Sequence, residues 1–264
     1  MYKFYHVISD VIKYNQCKTA GVKQMLVSYF YLRKDDKLLN LLINDNEIEV
    51  IVDSGLYSYS NSVEITDEEA KKYSEEYISF IEKNEHYSCF KSFFELDFDL
   101  IGYDYHEFVK PYQERLLKAT DKMILICQKG RTIEDIESLL TRNINTIAVP
   151  FASSIERNYF DWRLLIDMIH NAGKRVHLLG CSTVDYLVYA DQSDSSSWFM
   201  TAAMGEESRL INNRIKTFHY TESEEVEKQY NERAINNAKF YKNEFQDLVN
   251  KKQNQTRHEF LRLF

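Results

Sequence analysis

Short apolar runs alternate with amphipathic helical stretches through most of this chain, and that alternation limits its fold more than any other feature. Val22–Phe30 (VKQMLVSYF), Glu47–Val52 (EIEVIV), Phe93–Phe98 (FFELDF), Lys122–Gln128 (KMILICQ), Asn145–Pro150 (NTIAVP) and Lys174–Leu179 read as strands. Helices fall between them. Thr66-Asp67-Glu68-Glu69 opens one as a capping box, with Ala70, Tyr73, Tyr77, Phe80 and Ile81 at helical spacing behind it. His106–Thr120 is a second, with Pro111 in its first turn, and Thr132–Asn143 and Tyr159–Asn171 follow, the last with Gly173 where a C-terminal cap belongs. Strands joined by helical crossovers run parallel, and six or more such units in 264 residues predict a (β/α)8 TIM-like barrel forming a single domain over 1–264. Asp191–Trp198 is the expected seventh strand region and Lys216–Tyr220 (KTFHY) the eighth. A C-terminal helical extension covers 222–264, its long helix Glu222–Asn250 carrying Val226, Tyr230, Phe245, Leu248 and Val249 on a core face.

Composition removes several alternatives. No apolar run approaches a membrane span, and the first residues lack the apolar core and cleavage site of a secretory signal, so a cytoplasmic setting is expected. Cys17, Cys89, Cys127 and Cys181 are scattered without metal-type spacing, which argues against a zinc knuckle or a disulfide framework and for buried thiols. His86, His106, His170 and His219 show no ligand spacing either, so no metal and no cofactor is expected. With a formal charge of −8 the chain gains little from non-specific attraction to phosphate. Nucleic-acid binding therefore needs a partner or a local patch such as Lys251, Lys252, Arg257 and Arg262 with Phe260, although this stretch reads first as a solvated last helix.

In a parallel barrel the residues that follow each strand share one face, where catalytic groups gather. Asp53 ends the second run, Asp97 the third and Gln128 the fourth; Gly180 follows the sixth, and Asp194 lies in the next strand region. Gly55, Gly102, Gly130 and Gly180 each follow a strand, where a missing side chain leaves room for a flat ligand. Three aspartates and one glutamine at one mouth would suit a polar planar base flanked by two carboxylates, one acting as acid/base and one as nucleophile or electrostatic stabiliser. Asp194, in a serine-rich turn, is the leading nucleophile and Asp191 its rival; an isolated DSSS also reads as a solvated Asx turn. His177, inside an apolar run, reads as a hydrogen-bonded core histidine, and Trp198 as packing beneath the site.

The ordered set Asp53-Ser54-Gly55-Leu56-Tyr57-Ser58, Glu95-Leu96-Asp97, Gln128, His177-Leu178-Leu179-Gly180 and Asp194-Ser195-Ser196-Ser197-Trp198, spread over residues 50–200, resembles the tRNA-guanine transglycosylase superfamily. It is most similar to the small phage-type branch that places 7-deazaguanines in DNA. The resemblance implies that Asp194 attacks the sugar C1′ and expels guanine, that Asp53 is the general acid/base, and that Asp97 accepts from the guanine edge while Gln128 serves O6. It further implies base-binding roles for Ser54, Gly55 and Gly180, a backbone contact near Ala148 and Val149, and a sandwich of Tyr57 and Leu179 around the base. The implied partners are a guanine or preQ0-like base and a nucleic acid, DNA before tRNA, with an accessory protein or a homodimer possible. Two departures stand out. No cysteine follows Cys181 to build the zinc site of the family's tRNA enzymes, and Val149-Pro150 replaces its glycines. A tRNA base exchange, an N-glycoside hydrolase and a non-catalytic deazaguanine- or nucleotide-binding module are the competing readings.

Overall fold

Strands buried on both faces need apolar residues at nearly every position, and the chain supplies them in register. A computed structural model describes residues 1–60, 65–128, 130–151, 162–219 and 226–261. Eight parallel strands close into a barrel: β1 (Lys3–Ile8), β2 (Gln24–Ser28), β3 (Glu49–Asp53), β4 (Phe90–Phe94), β5 (Met123–Ile126), β6 (Thr146–Pro150), β7 (Arg175–Leu179) and β8 (Gln192–Ser195). The expected (β/α)8 architecture is what the chain adopts, as one domain. Successive side chains alternate between two cores. Tyr5, Leu26, Ile51, Phe94, Ile124, Ile126 and Ala148 fill the barrel interior, while their neighbours Phe4, Met25, Val50, Phe93, Leu125 and Ile147 face the surrounding helices. Burying each large apolar side chain stabilises the fold by about 1.5–3 kcal/mol.

The ends of the barrel depart from the sequence reading. The first strand is Lys3–Ile8, ahead of every run taken for a strand, and it closes the barrel by pairing Tyr5 with Asp194 on one side and His6 with Met25 on the other. The region Asp191–Trp198 therefore supplies the eighth strand, not the seventh. Of the expected strand Lys216–Tyr220, Lys216–His219 is no barrel strand, and Tyr220 lies outside the described residues. Arg214–His219 (β10) pairs antiparallel with Glu206–Ile211 (β9) in a separate two-stranded hairpin. The physical reason is burial: the barrel is closed without it, and Arg214 to Thr217 are exposed in succession, whereas a barrel strand is covered on both sides.

The capping box at Thr66 forms as expected, Glu69 N donating to Thr66 Oγ1 and Thr66 N to Glu69, and starts the helix Asp67–Asn84. The C-terminal extension runs from Val226 through a π turn at Tyr241–Phe245 to Leu261, with Phe245, Leu248 and Val249 buried. Of the suggested basic patch, Lys252 is paired with Asp185 at 3.0 Å; the side chains of Arg257, Phe260 and Arg262 lie outside the described residues. No helix among the described residues is long and apolar enough to cross a membrane.

Candidate active site

The last residues of the parallel strands all reach one end of the barrel. Asp53 closes β3, and its Oδ2 accepts the amide of Gly55 at 3.0 Å. Gly55 holds φ at 81°, and a Cβ there would stand 2.5 Å from Ser28 Oγ and 2.7 Å from the backbone nitrogen of Phe30. The missing side chain thus lets this turn lie against the end of β2, and the space expected to admit a ligand is filled by protein.

Asp97 lies three residues beyond β4 and is held through both oxygens: Ser54 Oγ donates to Oδ1 at 3.1 Å and Gln128 Nε2 to Oδ2 at 3.0 Å. Two tyrosines from the helix Asp67–Asn84 support these strand ends, Tyr73 donating to the Ser54 carbonyl at 2.6 Å and Tyr77 to the Phe94 carbonyl at 2.8 Å. Asp194 comes from β8 across the barrel. Its Oδ1 accepts from Gly180 N at 3.1 Å and His177 Nε2 at 2.8 Å, whereas no described residue donates to Oδ2.

Beneath Asp97 lies a buried ionic cluster. Arg131 donates to Glu95 Oε1 at 2.8 Å and, through Nε, to Asp99 Oδ2 at 2.7 Å, and its guanidinium lies 4.3 Å from the centre of the Tyr105 ring. Gln113 and the amide of Ile126 complete the coordination of Glu95. Since Arg131 also donates to the Ile126 carbonyl, the cluster ties the loop after β4 to the loop after β5.

Charge crowding sets the proton affinities. Burial, reinforced by the carboxylates of Asp97 and Asp194, pushes Asp53 up to about 7 against the amides of Gly55 and Ser54. Burial, then Asp99 and Glu95, raise Asp97 to about 6. An aspartate whose folded value exceeds its ordinary 3.8 adds stability that is complete below that value and is lost as pH rises through the folded value. Asp53→Asn is therefore expected to be more stable than the parent at pH 8, by on the order of 4 kcal/mol, with the difference shrinking on acidification and gone below about pH 4. Urea titrations at the two pH values check this, and an equal difference at both would refute it.

Other expected residues are not brought to this mouth, or take different parts there. Tyr57 is 67% exposed on the helical turn after β3, and Leu179 packs on the interior cluster below Gly180. Ala148 is an interior residue whose carbonyl is taken by the Cys127 amide at 2.8 Å, and Val149 turns to the outer core, so the backbone here is occupied by the sheet. Asp191 is placed at the opposite end. It precedes β8, accepts the amide of Val176 at 2.8 Å and bonds His170 at 3.0 Å, so it cannot stand in for Asp194. Cys127 and Cys181 are buried, and burial pushes both thiols up to about 12. Among the described residues no group of three His, Cys, Asp or Glu is set to hold a metal ion.

Sequence reasoning missed Arg131, and it assigned His177 and Glu95 no partner at the site. A signal existed for the first: Glu95, Asp97 and Asp99 put three acids in five residues beyond an apolar strand, which demands a counter-cation.

No protein-family model and no curated protein sequence matches the chain. A solved structure assigned as a fructose-1,6-biphosphate aldolase from Coccidioides immitis is similar with a TM-score of 0.57 and 10% sequence identity, over 94% of this chain and 89% of that one. Tryptophan synthase from M. tuberculosis gives a TM-score of 0.45 at 10% identity, over 90% of this chain and 92% of its own. The first likeness shows the barrel fold alone.

Proposed function

We propose that this chain is a glycosyltransferase that exchanges guanine in a nucleic acid for a 7-deazaguanine base of the preQ0 type, with DNA as the polymer. One observation carries the reading: two carboxyl groups of unequal character share the barrel mouth, Asp53 raised to about 7 in part by the charge of Asp194, and Asp194 fixed through one oxygen. Such a pair suits double displacement at an N-glycoside. A lone pair of Asp194 Oδ2 forms a bond to the sugar C1′ as the bond from C1′ to the base nitrogen breaks. The departing nitrogen keeps that electron pair and takes the proton held by Asp53. The incoming base then gives a proton to the Asp53 carboxylate and attacks C1′, and the electron pair of the ester bond returns to Asp194. Two inversions retain the configuration at the sugar. Asp97, an acceptor at the same mouth, suits the N1–H and amino group of guanine, and the side-chain amide of Gln128, bonded to Asp97, lies beside the position O6 would take. The target nucleotide has to leave its stack to reach a barrel mouth. DNA is preferred to tRNA because no cysteine after Asp194 can build the zinc site of the tRNA enzymes.

The test offers purified protein labelled guanine with either DNA or tRNA. Label is expected in DNA. Label in tRNA alone transfers the activity to the other polymer, release of free guanine without incorporation identifies a hydrolase, and base binding without turnover identifies a binding module; each of these overturns the proposal.

A further inference from the structure

His177 lies inside the barrel on β7, beside Ala148 of β6 and Gln192 of β8, with the Phe94 ring edge-on at 5.1 Å and the Tyr5 ring centre at 6.3 Å. It is wholly buried. Among the described residues Nδ1 meets no partner, while Nε2 stands 2.8 Å from Asp194 Oδ1. Oδ1 also takes the Gly180 amide, so it is the acceptor here and the ring hydrogen is on Nε2. The contact with Asp194 is thus the one hydrogen bond of the ring among the described residues. Gly180 N approaches the same oxygen at 3.1 Å, so two donors from β7 and its end converge on Oδ1 and none of the described residues donates to Oδ2.

We propose that His177 is a positioning residue that decides which oxygen of Asp194 attacks, an inference that rests on the transferase reading above. A carboxylate free to rotate presents either oxygen at any angle. Donors on Oδ1 stop that rotation, hold the Oδ2 lone pair toward the mouth, and stay in place when Oδ1 becomes the carbonyl oxygen of the glycosyl ester. His177 forms no bond to substrate and moves no proton. It acts on the rate of ester formation, because misdirection of an attacking atom by about 1 Å costs on the order of 10²-fold, and it leaves base binding to other groups.

Replacement by glutamine and by asparagine separates this role from simple packing. Glutamine carries its amide nitrogen where Nε2 stands, whereas asparagine stops at the position of Nδ1. His177→Asn is expected to lower kcat by about 10²-fold with KM for the incoming base within about twofold, and His177→Gln to recover most of that loss. Equal losses in both variants, or a fall confined to KM, would overturn the proposal, as would wild-type kcat in His177→Asn. A readout without turnover covers a failure of the transferase reading itself. The Nε2 proton, bonded to a carboxylate, is expected as a strongly downfield imidazole resonance that moves upfield in Asp194→Asn. An inactive wild-type protein that shows this shift loses the transferase reading and keeps the His177–Asp194 coupling; absence of the resonance overturns the coupling as well.

Discussion

Asp194→Asn is expected to lose base exchange by about 10⁴-fold or more while folding as the parent does. Asparagine has the same shape, and its carbonyl oxygen can still accept from Gly180 N and His177 Nε2, the two bonds that seat the aspartate. The substitution puts an NH2 group in place of Oδ2, so the lone pair proposed to attack C1′ is gone. Base affinity is expected to change little, since Asp97, Ser54 and Gln128 are held to one another and owe Asp194 no hydrogen bond. Intact-mass spectrometry of protein mixed with substrate and quenched should find a glycosyl adduct on the parent and none on the variant. Asp191→Asn is the control. Its bonds to Val176 and His170 lie at the other end of the barrel, so a modest loss of stability and a normal rate are expected. Exchange at the parental rate in Asp194→Asn would end the covalent mechanism.

Most of the barrel was legible because a parallel strand covered on both faces is a continuous apolar run. MILI, TIAVP and EVIVD announce themselves that way. The two strands that close the barrel do not. β8 reads QSDS and is buried at every position, its outward Ser193 sharing a hydrogen bond with Tyr2 at 2.6 Å and donating to the Cys181 carbonyl at 2.9 Å. Hydroxyl pairing does there what methyl groups do elsewhere, and apolar periodicity is blind to it. β1 mixes lysine, histidine and tyrosine with its apolar residues, whereas Lys216–His219 alternates like a strand but lies in a hairpin whose residues Arg214 to Thr217 are exposed.

Members of the candidate site were legible where one side chain at or just past a strand end suffices, since Asp53, Asp97 and Asp194 do come to one mouth. They were illegible where the role is a pairing between distant segments. His177 and Asp194 are 17 positions apart, and Arg131 and Glu95 36 apart. A sequence names the members of such pairs without saying who meets whom.

The Arg131 cluster is where that blindness has the largest consequence for stability. Arg131→Ala is expected to destabilise the protein by about 3–5 kcal/mol, because it leaves Glu95 and Asp99 buried without a cation. Burial already raises Glu95 above its ordinary value with Arg131 beside it, and the guanidinium opposes that rise. Without the cation the folded value climbs further above the unfolded one, so the variant holds stability at low pH and loses it as pH rises through the folded value. The difference between parent and variant should therefore be widest near neutrality and narrow on acidification, as urea midpoints at pH 5 and pH 8 would register. Function follows the same charges. Asp99 and Glu95 already push Asp97 toward protonation, and with their counter-cation gone Asp97 should hold its proton at neutral pH and stop accepting from the base. KM for guanine should then rise more than kcat falls, the reverse of the pattern expected for His177→Asn. Pairing Arg131→Met with Glu95→Gln removes a charge of each sign and should recover part of the lost stability. If the double variant is no more stable than Arg131→Ala, the cluster holds the loops through shape, and the electrostatic account of Asp97 falls with it.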